Sequence, residues 1–314
     1  MNMVFLMDPL ETVHPEKDTT YAFMIGAARR GHTVGYLHNR GITLRDDLLW
    51  FEVETVKPTP GGKKSFQRGA VESVPASRVD ALFIRTDPPF NDLYLHNTWL
   101  LDYAPDRMII VNRPSGIRTV NEKLWCLQFA ALIPPTLVTS SLTDAQHFIA
   151  EHGKVVIKPT DGHGGQGVFV VGEGDSNTNV IMETLSGKGQ RVVLLQEYEP
   201  ASEIGDKRIL LLEGEPLGAV LRVHNQTDHR NNFFAGGSEA PTEINDRDRV
   251  IIETLRPELC RLGLWFVGID ILGGSLIEVN VTSPTCLQEM NRLGNLSLED
   301  RVIEWVEARA SCNG

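Results

Sequence analysis

Four short apolar runs, separated by stretches long enough for helices, govern the first third of the chain: Met3–Met7, Thr33–His38, Val79–Arg85 and Met108–Asn112. Each reads as a strand. Asp18 is placed to cap a helix that runs through Arg30 and stops at Gly31. Asp92–Tyr103 reads as a second helix. Strands joined through helices do not pair as hairpins, so this rhythm calls for a parallel sheet covered by helices. Residues 39–78 break the rhythm. Pro58, Pro60 and Gly61-Gly62 mark a loop, and the segment is expected to be irregular.

The later half reads differently. Asn121–Ala131 reads as a helix, Thr136–Thr139 as a strand and Leu142–His152 as a helix. A helix near Val180–Leu185 and a strand Arg191–Tyr198 follow. Lys207–Leu212 and Leu217–Val223 form an expected hairpin around Glu213-Gly214-Glu215. His224–Gly237 is polar and ends in two glycines, which suits a mobile loop. Asn245 caps a helix to Leu262, Leu264–Leu272 and Leu276–Val281 form another hairpin, and Leu298–Ala310 is a terminal helix. Val302, Ile303 and Val306 give that helix an apolar stripe for core packing. The fold class is therefore α/β followed by α+β.

A chain of 314 residues carries two or three domains' worth of core. Its formal net charge of −11 disfavours nucleic acid, which needs a cationic surface. No apolar run approaches the roughly eighteen residues of a membrane span. MNMVFLMDPL reads as a first strand and not as a signal peptide, which points to the cytoplasm. Cys126, Cys260, Cys286 and Cys312 are scattered, so neither a zinc site nor a disulfide framework is expected.

Two stretches carry chemistry. In VVIKPTDGHGGQGVFVV, residues 155–171, Lys158 precedes the glycines, and the order is not that of a Walker phosphate loop. Two strands joined by Gly164, Gly165 and their neighbours could still fold over a phosphate chain, with N–H groups turned toward its oxygens. From these residues alone the favoured reading is a flexible hairpin loop with a solvated lysine. In FVGIDILGGSLIEVNVTSPT, residues 266–285, Glu278 and Asn280 share one strand face, and Asp270 lies on the preceding strand. Oxygen donors of this kind suit Mg²⁺. A two-residue turn would set Asp270 against Ile277 and away from Glu278, whereas a three-residue loop, Gly273 to Ser275, sets it against Glu278. The three-residue loop is expected, because the ligands then meet. The other reading is a half-exposed sheet whose polar residues face water.

The ordered set NEK at 121–123, IKPTDGHGGQGV at 157–168, QEY at 196–198, DKR at 206–208, NNFFAGG at 231–237 and GIDILGGSLIEVNVTSPT at 268–285 resembles the ATP-grasp superfamily. MDPLETVHPEKDTT and RTDPPF, with NNFFAGG and NVTSPT, make the chain similar to the bacterial glutathione synthetases over nearly its whole length. The resemblance implies an N-terminal α/β domain at 1–120, a central lid domain at 121–200 and a C-terminal grasp domain at 201–314. It implies ligation of γ-glutamylcysteine to glycine, driven by ATP through an acyl phosphate. The alternatives are another ATP-grasp carboxylate–amine ligase and a nucleotide-binding module without turnover.

Site roles follow from the same resemblance. Lys123 and Lys158 match lysines on the ATP phosphates, and Gln196, Glu197 and Tyr198 match the hinge segment that holds adenine. Asp270, Glu278 and Asn280 match ligands of Mg²⁺, with Mn²⁺ an alternative. Arg208 and Arg222 match arginines near the γ-phosphate and the reacting carboxylate, and Arg230 and Asn232 lie in the loop that closes over the site. Asp18, Thr20 and Ser283 match the peptide-binding surface. Arg85, ending an apolar strand before Asp87-Pro88-Pro89, either pairs with Asp87 or holds a substrate carboxylate. A homo-oligomer, a tetramer by family analogy, is implied as well. Three departures stand out: Thr86 where the family has lysine, Asn231 where it has a small residue, and Glu197 where an amide occurs.

Overall fold

The computed structural model describes residues 1–62, 64–223 and 238–312. The first sheet begins with β1 (Asn2–Met7), followed by α1 (Thr19–Arg29) and β2 (Thr33–Arg45). The Asp18 side chain accepts a hydrogen bond from Tyr21 N at 2.8 Å and so starts α1 at the expected place. β3 (Leu48–Pro58) and β4 (Phe66–Pro75) come next, then β5 (Ala81–Ile84), α2 (Asp92–Leu100), β6 (Ile109–Val111) and α3 (Pro114–Thr119). The strand order is β4-β3-β2-β1-β5-β6. β2, β1, β5 and β6 are parallel, as the helix-length connections require.

Residues 39–78 correct the expectation of irregular chain. β2 runs on to Arg45, turns at Asp46 and Asp47, both with positive φ, and pairs antiparallel with β3, which pairs with β4. Nearly all of β4 is exposed at the sheet edge, so its polar residues carry no alternation to read. The prolines and glycines mark only the β3–β4 connection.

A second sheet holds β7 (Thr136–Thr139), β8 (Lys154–Pro159), β9 (Phe169–Gly172) and β10 (Val193–Glu197), ordered β7-β10-β8-β9. α4 (Leu142–His152) and α5 (Thr178–Ser186) pack on it through a small core that includes Ile149, Ile157, Met182 and Leu195. The third sheet holds β11 (Asp206–Leu212), β12 (Glu215–Val223), β13 (Ser238–Ala240), β14 (Phe266–Leu272) and β15 (Ser275–Asn280), ordered β13-β12-β11-β14-β15. α6 (Asp246–Leu262), α7 (Leu287–Gly294) and α8 (Leu298–Cys312) complete the chain. Asn245 closes a capping box with Asp248 at the start of α6. Val302, Ile303 and Val306 are fully buried. Buried residues of the first and third sheets share two continuous cores. Among the described residues no helix is long and apolar enough to cross a membrane.

The helix expected over Asn121–Ala131 is absent, and only Trp125–Phe129 makes a tight 3₁₀ turn. Tertiary contacts hold this stretch instead. The Glu122 carbonyl accepts from Val279 N at 2.9 Å, and its side chain is committed to the chain just beyond β15.

Candidate active site

A cleft of about 550 Å³ lies where the second and third sheets face each other. The third sheet supplies a row of charged groups. In register, Arg208 on β11 stands opposite Asp270 on β14, and Asp270 stands opposite Glu278 on β15. Directly opposed residues share a sheet face, so all three side chains emerge together. Asn280, two residues on from Glu278, joins them.

The turn corrects the expected loop. Leu272 pairs with Ser275 across a two-residue turn, Gly273-Gly274, with φ of +58° and +83°. Ile271 then pairs with Leu276, and Asp270 with Glu278. Ile277 is the extra residue of a β-bulge. The expected opposition of Asp270 and Glu278 is present, but the added residue sits in the strand and not in the turn.

Asp270 is 4 % exposed and doubly bridged. Arg208 donates to its two oxygens at 2.5 and 2.9 Å, and Arg222 reaches one of them at 3.0 Å. Arg222 also pairs with Asp206, which it faces across β11 and β12. Burial alone would raise the Asp270 carboxyl, but the two guanidinium groups outweigh it and hold it well below the usual carboxylate range. Lys123 Nζ lies 3.0 Å from Glu278 Oε1 and donates to the Gly162 carbonyl. Burial opposes its charge, yet Glu278 prevails and Lys123 is held above its ordinary value.

Lys158 comes from the second sheet. Its Nζ donates to Gln196 Oε1 at 2.9 Å, and Gln196 donates to the Thr136 hydroxyl at 3.0 Å. Burial pushes Lys158 down to about 8. Gly164 and Gly165 line the cleft with φ of +61° and +76°, a left-handed turn that only glycine takes without strain. Glu197 and Tyr198 line the cleft too, but their N–H groups bond to the Pro135 and Lys154 carbonyls. A backbone donor to a base therefore has to come from elsewhere in this segment.

Not every expected residue reaches the cleft. Ser283 lines it and donates to Asp87 Oδ1 at 2.5 Å. Asp18 is the cap of α1, and Thr20 is buried, its hydroxyl accepting from Arg85 Nε at 3.0 Å. Neither lines the cleft. Arg85 lies behind the wall, 5 % exposed, and donates to the Pro284 carbonyl at 2.9 Å. It bonds to neither Asp87 oxygen among the contacts of the described residues. Arg230 and Asn232 fall within residues 224–237, outside the described residues.

Glu122 was not singled out by sequence. Its Oε1 accepts from Val281 N, Thr282 N and the Thr282 hydroxyl at 2.8, 3.0 and 2.9 Å. Burial pushes its carboxyl up, and Glu278 adds to the effect. The signal available was its place inside the NEK motif. Gly268 was missed as well. A Cβ there would lie 2.9 Å from Pro284 Cβ and 3.3 Å from Arg208 Cδ. Cys286 lines the cleft as a buried thiol whose burial raises it above its ordinary value.

The donor set accommodates a hard divalent cation. Among the described residues no cluster of three or more His, Cys, Asp or Glu could hold a metal. The set here is two carboxylates and an amide. Asn280 Nδ2 donates to the Gly268 carbonyl and Asp270 at 3.3 and 3.4 Å, which leaves its oxygen as an acceptor. Arg208, Arg222 and Asn280 fill the roughly four acceptor sites of Asp270, so a cation there takes the place of one of these donors, whereas Glu278 accepts from Lys123 and keeps sites open. Mg²⁺ needs only one or two carboxylates when phosphate and water complete its shell.

Residues 1–118 match the family model of the prokaryotic glutathione synthetase N-terminal domain, and residues 122–295 that of the prokaryotic glutathione synthetase ATP-grasp domain. The chain belongs to the prokaryotic glutathione synthetase family. It is 40 % identical to the glutathione synthetase of Thermosynechococcus vestitus over 98 % of this chain and 99 % of that one. It is 36 % identical to the glutathione synthetase of Vibrio cholerae, over 97 % and 96 %. The crystal structure of D-cycloserine synthetase DcsG superposes with a TM-score of 0.68 at 15 % identity, covering 97 % of this chain and all of the other. That likeness speaks for the ATP-grasp fold. As a prokaryotic glutathione synthetase family member, the protein is an ATP-dependent ligase.

Proposed function

We propose that the protein joins the cysteinyl carboxylate of γ-glutamylcysteine to the amine of glycine, and that ATP first converts that carboxylate into an acyl phosphate. A carboxylate oxygen is a poor leaving group. Transfer of the γ-phosphoryl group makes it phosphate, and attack by the glycine amine then forms the amide and releases phosphate. The observation that carries this reading is the convergence of Lys123, Lys158, Arg208 and Arg222 with Asp270, Glu278 and Asn280 on one cleft.

In this reading Lys123 and Lys158 hold the phosphates, and the loop at Gly164-Gly165 turns backbone N–H groups toward them. Gln196, Glu197 and Tyr198 border the base. A divalent cation held by Asp270, Glu278 and Asn280 neutralises phosphate charge when bound. Arg208 and Arg222 stay protonated and can each present a planar fork to oxygens that gain charge during transfer. Asp270 preorganises both. Ser283 borders the peptide, with Arg85 fixing the Pro284 carbonyl behind it, and Arg230 and Asn232 are assigned to closing the cleft. Water would hydrolyse an acyl phosphate, so the cleft has to close during turnover.

The same reading divides the chain at 1–120, 121–200 and 201–314. It also carries a cytoplasmic setting and a homotetramer by family analogy, which light scattering would test. The deciding assay is ADP release with γ-glutamylcysteine, glycine or ATP omitted in turn. Release that needs all three is expected. Release with D-alanine or glutamate in place of glycine, and not with glycine, would move the protein to another ligase specificity.

A further inference from the structure

A second cavity, of about 290 Å³, lies between the ends of β1 and β5 and the helix α2. It shares Asp87 and Pro88 with the cleft. Among the described residues, four buried side-chain polar atoms lack a hydrogen-bond partner. Three of the four belong to residues lining this cavity: the Tyr94 hydroxyl, the Thr86 hydroxyl and Asn39 Oδ1. Tyr94 is 4 % exposed and Thr86 9 %. Buried polar groups are almost always satisfied, so three orphans on one space call for a bound species. All three are oxygens.

The charge of the lining points one way. Its charged residues are Asp8 and Asp87, and neither lysine nor arginine lines it. The two carboxylates repel: burial, and then the Asp87 charge, push the Asp8 carboxyl above its ordinary value. Each is only partly engaged. Asp8 accepts from Asp87 N at 2.8 Å, and Asp87 Oδ1 accepts from the Ser283 hydroxyl at 2.5 Å. A carboxylate has about four acceptor sites, so both keep some open. The neighbouring cationic groups stand outside the lining. Arg85 acts on Asp87 and Tyr94 from behind the wall, but its N–H groups go to Thr20 and the Pro284 carbonyl. His38 acts on Asp8, while its Nδ1 accepts from Arg40 N at 3.2 Å.

We propose that this cavity is a monovalent-cation site, in which an alkali ion is held by Asp8, Asp87, Asn39 Oδ1 and the Tyr94 and Thr86 hydroxyls, with water completing its shell. The donor set favours such an ion over Mg²⁺. Mg²⁺ demands near-ideal octahedral geometry and dehydrates reluctantly. Neutral protein oxygens, by contrast, can replace the hydration shell of an alkali ion. The cavity also has room for several waters, at roughly 30 Å³ each. The ion offsets the like-charge pair and braces Asp87, which holds Ser283 at the wall of the cleft. This site is separate from the Asp270, Glu278 and Asn280 donor set, and it does not depend on which amine the protein ligates.

The test is thermal melting of the full chain in potassium, sodium or choline chloride, at one ionic strength and with EDTA present. EDTA keeps divalent ions off the Asp270 set, and choline is too large to be coordinated. Potassium or sodium should raise the melting midpoint by about 2–4 °C over choline, with saturation as the site fills. Asp8→Asn removes one liganding charge and should lose most of that rise. Thr86→Lys supplies a tethered ammonium from the same wall, and should melt alike in all three salts and no lower than wild type in choline. Should Thr86→Lys fail to fold, Asp8→Asn decides alone. Equal wild-type midpoints in the three salts, as expected of a cavity that holds only water, would overturn the proposal. A rise that persists undiminished in Asp8→Asn would overturn it too, because the ion would then sit elsewhere.

Discussion

Asp270 stands directly opposite Glu278 although the turn between their strands is the two-residue Gly273-Gly274. Parity alone would set Asp270 against Ile277. The bulge at Ile277 shifts the count by one, so the two carboxylates share the cleft face with Arg208.

Asp270 is the counter-charge for two buried arginines, and its loss should show in stability. Asp270→Asn keeps the shape and removes the charge. Breaking a buried ion pair costs about 3–5 kcal/mol. Urea unfolding should show a loss of this order, largely recovered in the double variant Asp270→Asn, Arg208→Met. A single variant as stable as wild type would mean that the pairing contributes nothing. The Asp270 carboxyl lies below its ordinary value in the fold, so its contribution is fully present above the unfolded value of 3.8 and fades only as acid protonates the native pair.

Lys158 titrates at about 8 in the fold, against 10.5 for an ordinary lysine. Between those values the unfolded chain binds more protons, so this group makes stability rise with pH across that window. ATP binding should behave oppositely. A triphosphate favours the ammonium, so above about pH 8 binding has to take up a proton, and Kd should rise about tenfold per pH unit. Fluorescence titration at fixed ionic strength reads this directly. Lys158→Met should bind more weakly and lose the slope; a slope that survives would assign it to another group.

Arg222→Ala should lower kcat about 10²–10³-fold while ATP affinity changes far less, because a preorganised donor acts mainly on charge that develops in the transition state. Turnover close to wild type would take Arg222 out of the chemistry.

Glu122 should act by position. Glu122→Ala leaves two buried N–H groups unpaired, at about 1–3 kcal/mol each. Glu122→Gln keeps an oxygen that can accept from them. Thermal melts should therefore fall much further for alanine than for glutamine, and the alanine variant should raise KM for ATP through its neighbour Lys123. Equal melts would show that the three hydrogen bonds do not hold this segment.

Gly268→Ala should cripple turnover more than folding. The new Cβ would meet Pro284 and the Arg208 side chain, at 2.9 and 3.3 Å. Overpacking of this kind costs about 1–3 kcal/mol. The added methyl also displaces Arg208 from Asp270, so kcat should drop at least tenfold by the loss of a preorganised donor. An unchanged kcat would show that Arg208 tolerates the shift.

Much of the fold was legible because its signals are local. Caps at Asp18 and Asn245, the glycine stops and the parallel β–α rhythm all depend on residues within a few positions of one another. Ser141 likewise caps α4, which spans the expected Leu142–His152. The misses are where distant chain decides. The 39–78 segment reads as loop because its outer strand faces water, and 121–131 reads as helix until Glu122 is claimed by Val281 and Thr282.

The same division runs through the site. The sequence by itself determined which groups are available: one lysine before a glycine-rich turn and another in the NEK stretch, two arginines on a hairpin, and carboxylates and an amide on the last strands. The tertiary structure alone decided that both arginines close on Asp270, that Arg85 backs the wall, and that Tyr94, Thr86 and Asn39 surround a second cavity. The physical reason is that alternation assigns a side chain to a face, whereas bulges, sheet order and burial decide which faces meet and which charges must share a site without water.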